Sequence, residues 1–190
     1  MRLQRAVKVV FTVRLGRLAR VSALSAALVC GAISLQPAIT NATLSAQEGG
    51  IEIGKMAPGA AVQTLDGKEV DLKKYIVPGK PAMLEFWATW CGNCKELMPK
   101  VIAATKKYGT QVNFITVAVS VNQSPARVAA WHKLNPIATE MLYDLHGKAG
   151  DAYDVPATSF VVLVDKAGKV VYTGLGGDQN LDTAIAKALK

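Results

Sequence analysis

Met83-Leu84-Glu85-Phe86-Trp87-Ala88-Thr89-Trp90-Cys91-Gly92-Asn93-Cys94 is the stretch from which the fold of this chain is read. Its first six residues are apolar or aromatic except for one glutamate, and the breakers Pro78-Gly79-Lys80-Pro81 precede them. A short apolar run bounded in that way predicts a buried strand. Residues 92–108 then predict a helix that stops at Gly109. Cys91 therefore stands where a strand hands over to a helix. A sulfur there meets free backbone N–H groups and the positive end of the helix dipole, both of which favour the thiolate. Such sites bring a cysteine pKa from ~8.5 down into roughly the 3.5–7.5 range, and the thiolate is the nucleophile. Two intervening residues on a helical turn let Cys94 reach back and resolve a mixed disulfide. Half a zinc site is the competing reading of C-x-x-C. Structural zinc wants four ligands, and beyond the two cysteines the chain offers only His132 and His146, unpaired with each other, so no metal site is expected.

Outward from this stretch, residues 60–72 predict a short hairpin turning at Asp66-Gly67. Residues 112–121 (VNFITVAVSV) predict a second buried strand, rich in β-branched residues. Ser124-Pro125 supplies an N-cap with proline at the first helical position, for a helix to Leu134. Residues 159–164 and 170–173 predict a hairpin, and residues 181–189 a last amphipathic helix. The two long strands need a crossover helix, so they should be parallel, and the hairpin should add antiparallel strands. Trp87 and Trp131 are expected in the core, with His132 and His146 as solvated surface or helix residues.

The N-terminal 46 residues have a different character. They hold six basic residues from Arg2 to Arg20 and no acidic one, followed by an apolar stretch at residues 21–35. A basic start, a short apolar run and then small residues form the pattern of a secretory signal. The run is short for a membrane span, which takes roughly 20 residues. An uncleaved anchor and an organelle import segment are the alternatives. The expected organisation is a leader over 1–46, a linker over 47–56 and one domain over 57–190. Without the leader, sixteen basic residues face fourteen acidic ones, a net charge of +2 in place of the whole chain's +8. That balance gives no ground for nucleic-acid binding, which needs a clustered basic face on the folded domain. Cys30 leaves with the leader, and two remaining cysteines make no disulfide scaffold.

The run from Leu84 through Cys94 to Lys95-Glu96-Leu97-Met98-Pro99 resembles the active-site segment of thioredoxins, most of all their exported TlpA-like branch. The resemblance spans residues 53–190. It implies a thioredoxin-like α/β fold, a central mixed sheet flanked by helices with an N-terminal β-hairpin extension. It also implies a thiol–disulfide oxidoreductase working outside the cytoplasm, in a bacterial periplasm or at the extracytoplasmic face of a membrane. Protein thiols and disulfides would be its clients, apocytochrome c thiols among them, with a membrane electron donor upstream; nothing in the sequence itself fixes an oligomeric state, and a monomer is expected. No cofactor is implied, because the dithiol carries two electrons itself.

In the same resemblance Glu85, six residues before Cys91, takes the place of a buried carboxylate that relays a proton to or from the second cysteine. Desolvation would raise its pKa toward neutrality. Val155-Pro156 resembles the family's cis-proline segment, which shapes the groove for an extended client peptide, with Trp90, Gly92 and Asn93 as further contacts. Pro99 resembles the proline inside the active-site helix. Asn93 departs from the common Gly-Pro pair; its backbone N–H, absent in proline, is expected to bond the Cys91 thiolate. Two rivals are a copper(I) carrier using the two sulfurs, and a peroxidase within the fold. No third cysteine or methionine cluster near Cys91 supports the first. The adjacent resolving cysteine and the lack of a proline-threonine approach to Cys91 oppose the second.

Overall fold

Alternation along one strand organises the molecule. In β3 (Ala82–Trp87), Leu84 and Phe86 point to one face while Met83, Glu85 and Trp87 point to the other, and all six residues are buried. A strand buried on both faces must lie inside a sheet with layers above and below it. The computed structural model, which describes residues 49–190, shows that arrangement.

The hairpin β1 (Ala61–Thr64) and β2 (Glu69–Asp71) comes first, then a 3-10 turn at Leu72–Tyr75 and β3. Next follow α1 (Gly92–Tyr108), β4 (Asn113–Val119), α2 (Pro125–Leu134), β5 (Glu140–Asp144) and α3 (Lys148–Ala152). The hairpin β6 (Phe160–Val164) and β7 (Val170–Leu175) and the helix α4 (Leu181–Ala188) end the chain. The seven strands form one mixed sheet in the order β2-β1-β5-β4-β3-β6-β7. β3, β4 and β5 are parallel neighbours, while β6 lies antiparallel to β3. The mixed sheet and N-terminal hairpin read from the sequence are both present.

β5 and α3 are two elements that no local signal in the sequence marks. Met-Leu-Tyr-Asp is too short a run to stand out, yet β5 sits between the hairpin and β4 and joins the two. On the α1 face, Leu97, Val101 and Ala104 pack with α4 residues Leu181 and Ile185 over Met83 and Leu163. Burying a leucine or isoleucine side chain in this way contributes roughly 1.5–3 kcal/mol. On the other face Phe86, Phe160, Leu142 and Tyr153 close around the 3-10 turn and α3. Helix α1 runs through Pro99 without interruption, and α2 starts as expected, with the Ser124 side chain accepting from the Arg127 N–H at 3.3 Å.

The described part of the segment read as a linker is held against the domain. Ile51 is buried and its N–H donates to Tyr153 O at 2.9 Å. Gly54 N–H donates to Val170 O, Val170 N–H to Lys55 O and Ala57 N–H to Gly168 O, at 2.7, 2.9 and 2.9 Å. Residues 51–57 thus form a strap along the beginning of β7. The leader expectation lies outside the described residues.

Candidate active site

Cys91 is the N-cap of α1. Its backbone is extended (φ −73°, ψ 117°), and its Sγ accepts the Cys94 N–H at 3.0 Å. An N-cap side chain takes up the N–H of the second or third helical residue, so the sulfur sits where the helix offers its unpaired donors. Cys91 and Cys94 are joined in a disulfide, and both are buried, at 4% and 2% exposure. The geometry corrects the expected role of Asn93: the N–H that reaches the sulfur belongs to Cys94, one residue further along. Cys94 is the third helical residue, and the turn of the helix brings its N–H over the cap atom. A Cβ at Gly92 would meet nothing within 4 Å outside its chain neighbours, so the first turn of α1 is open at that position.

Glu85 lies under this turn. It is 5% exposed, and burial pushes its carboxyl up to about 7. Parallel pairing puts it in register with Thr116 of β4, whose other neighbour is Met141 of β5. Glu85, Cys94 and Thr116 share a small cavity with Trp87, Met98, Val101, Trp131 and Ile137. Trp87 and Trp131 pack with ring centroids 4.5 Å apart, Trp87 buried and Trp131 half-buried, and both line the same cavity as the carboxyl.

A groove of about 710 Å³ runs from Trp90 past Val121 to Val155, Pro156 and Thr158. Trp90 is 41% exposed and is steadied by its Nε1–H, which donates to Val121 O at 2.8 Å. The residues expected on the client side, Trp90, Val155 and Pro156, therefore border one depression. The expected cis peptide before Pro156 is absent: every peptide bond among the described residues is trans. The reversal is made by two left-handed residues, Asp154 (φ 47°) and Ser159 (φ 69°), while Val155 N–H donates to Gly150 O at 3.0 Å. Two such turns redirect the chain without a cis bond, and trans is the lower-energy isomer even before proline.

Some residues that set up the site carry no signal of their own in the sequence. Gln123 accepts the Thr89 N–H at 2.9 Å, and its amide donates to Val119 O. It therefore ties the loop before Cys91 to the end of β4. Thr116 stands beside Glu85 only because of strand register. His146 is exposed, and His132 is a residue of α2, half-buried with its Nδ1 shielded and unpaired. Among the described residues no group of three or more His, Cys, Asp or Glu side chains is placed to hold a metal ion.

Residues 53–173 match the model of the AhpC/TSA family. The chain is 32% identical over 144 residues to the thiol-disulfide oxidoreductase ResA of Bacillus subtilis, covering 76% of each protein. It superposes on a thiol:disulfide interchange protein DsbE from Chlorobium tepidum with a TM-score of 0.65. That match covers 74% of this chain and 99% of the other at 24% identity, a likeness of fold. The exposed lipoprotein thioredoxin of Streptococcus pneumoniae is 29% identical with a TM-score of 0.56, over 68% of this chain and 99% of that one. A disulfide that caps a helix, a sheet of this order and relatives of this kind converge: the chain belongs to the AhpC/TSA family, as one of its thioredoxin-like thiol–disulfide oxidoreductases.

Proposed function

We propose that this oxidoreductase reduces disulfides of protein clients outside the cytoplasm, with apocytochrome c thiols among them. The placement of Cys91 as the cap of α1, with Glu85 beneath Cys94, carries this reading. In the reduced protein the Cys91 thiolate keeps the Cys94 N–H as donor, and a hydrogen bond to a charged group is worth roughly 1.5–3 kcal/mol. Cys91 attacks the client disulfide, forms a mixed disulfide and expels one client thiolate. Cys94 gives its proton to the Glu85 carboxylate and attacks Cys91 Sγ, releasing the second client sulfur. Two electrons pass to the client and the Cys91–Cys94 bond re-forms. No cofactor enters this exchange, and an electron donor in the membrane would return the site to the dithiol.

The groove supports an extended peptide as the bound form. Residues 157 and 158 lie beyond the last β3–β6 pair, Phe86 with Phe160, and border the depression beside Trp90. An incoming strand would pair with that backbone. Export is supported by the basic, then apolar, leader over 1–46 and by the likeness to an exposed lipoprotein. A cleaved leader frees the domain, and a retained one tethers it to the membrane.

Trapping in the native compartment tests the reading. Cys94→Ser should accumulate covalent complexes with clients, and Cys91→Ser should not. Equal trapping by the two variants would overturn the assignment of attacking and resolving sulfurs.

A further inference from the structure

A buried base has to regain its charge after each cycle. Once Glu85 has taken the Cys94 proton it is a neutral acid under a wall of Trp87, Met98, Val101, Trp131 and Ile137, none of which carries a proton to water. The elements packed on it bring no charged side chain to the cavity: α1 contributes Cys94, β4 Thr116 and α2 Trp131, and Cys94 is the only other titratable group there.

We propose that the proton leaves Glu85 through the hydroxyls of Thr116 and Thr139, with one water joining the carboxyl to Thr116. The inference rests on Glu85 acting as the proton acceptor for Cys94. Three observations carry it. Glu85 and Thr116 are register partners on parallel strands and line the same cavity. That cavity measures about 10 Å³, near the room one water requires. A buried water also needs two to four polar partners. Glu85, Thr116 and Cys94 are at hand, and Trp87, which also lines the cavity, has a buried Nε1–H with no protein partner. The third observation is the onward link. Thr116 is 1% exposed, and its Oγ1 lies 2.9 Å from Thr139 Oγ1, with either atom able to donate. Thr139 is half-buried and opens the pair toward solvent. Thr116 Oγ1 also reaches Glu140 O at 3.4 Å and Met141 Sδ at 3.2 Å, which hold the hydroxyl in place without supplying a charge.

The transfer balances. The Glu85 proton goes to the water, and the water gives one of its own to Thr116. Thr116 passes its hydroxyl proton to Thr139, and Thr139 releases one to solvent. Each oxygen gains one proton and loses one, so the carboxylate is the only charge left behind. The same chain run backwards delivers a proton when the disulfide is opened by the upstream donor. Thr116 is a positioning residue in this scheme: it acts through Glu85 and touches no client.

The experiment measures turnover of a protein disulfide by the full chain, in water and in deuterium oxide, from pH 5 to 9. Thr116→Val keeps the side-chain shape and removes the hydroxyl. Turnover near pH 7 should fall about tenfold, part of the ~10²–10⁴ that a positioned acid–base group supplies, with a changed solvent isotope effect. Thr116→Ser should restore the rate, and Thr139→Val should reproduce most of the loss. Glu85→Gln combined with Thr116→Val should be no slower than Glu85→Gln alone. A slow Glu85→Gln beside a Thr116→Val that matches wild type in rate and isotope effect overturns the route and leaves Glu85 its role. A Glu85→Gln of normal rate overturns both. A double variant slower than Glu85→Gln shows Thr116 acting apart from Glu85, and the route fails. Should Thr116→Val melt early, Thr139→Val decides: full activity there overturns the route.

Discussion

Glu85 and Asp144 are two carboxylates in one sheet, separated by a single strand and both more than nine-tenths buried. Asp144 faces the side covered by α3 and accepts two backbone N–H groups, from Ala149 at 3.1 Å and Gly150 at 2.8 Å. It does for α3 what an N-cap side chain would do, since Gly147 at that position has none. Glu85 faces α1 and has burial alone acting on it, which is why its carboxyl is pushed up to about 7. Burial is common to both. What separates them is donor supply, since backbone N–H groups reach Asp144.

The largest effect should come from removing the partnered group. Asp144→Ala deletes two hydrogen bonds to a charged acceptor, each worth roughly 1.5–3 kcal/mol, and leaves the first turn of α3 without its cap. A loss of about 4 kcal/mol in denaturant unfolding is expected on that basis. A loss below about 1 kcal/mol, the level of an ordinary cap, would erase the contrast with Glu85.

The bare carboxylate should behave in the opposite sense. Its folded pKa lies above the unfolded value of 4.5, so the folded state holds its proton more tightly. The resulting stability is full below about pH 4.5 and is lost as pH climbs toward 7; at ~1.4 kcal/mol per unit it amounts to about 3 kcal/mol. Glu85→Gln should remove this slope. With the disulfide intact, the variant should gain on wild type between pH 5 and pH 8, and parallel unfolding curves at the two pH values would break the comparison. The same substitution should slow disulfide exchange near pH 7 by about 10²-fold, the lower end for a positioned acid–base group, read as turnover of a protein disulfide. An unaltered pH–rate profile would make Glu85 a second structural carboxylate.

The smallest effect is expected where neither carboxylate is touched. Asn93→Pro leaves the Cys94 N–H on the Cys91 sulfur, and a first-turn proline is tolerated. The reduction potential against glutathione should move by less than about 15 mV, the equivalent of roughly 0.7 kcal/mol. A larger fall would return Asn93 to the role that sequence alone assigned it.

What could be read in advance follows the range of the forces involved. Local signals placed α1, α2, both hairpins and the sulfur at a helix start, because caps, turns and apolar runs act over a few residues. The buried Glu85 was legible from its apolar neighbours in the same run. Thr116 was not, since its place beside Glu85 depends on the register of two strands about thirty residues apart. Asp144 was hidden with β5, a five-residue strand whose partners come from elsewhere in the chain. The peptide bond before Pro156 went the other way because Asp154 and Ser159 share the reversal, and neither is a residue type that announces a left-handed backbone as glycine does.

The strap over residues 51–57 has a consequence for how copies of this protein meet. An open strand edge is a template on which another chain can add, and a sheet with two such edges can grow from both. At one side β2 is only three residues long, with Lys68 before it and Lys73 and Lys74 after it. At the other, Gly54 and Lys55 occupy the main-chain groups of Val170 where β7 begins. The strap thereby closes the start of the β7 edge to strand addition by another copy.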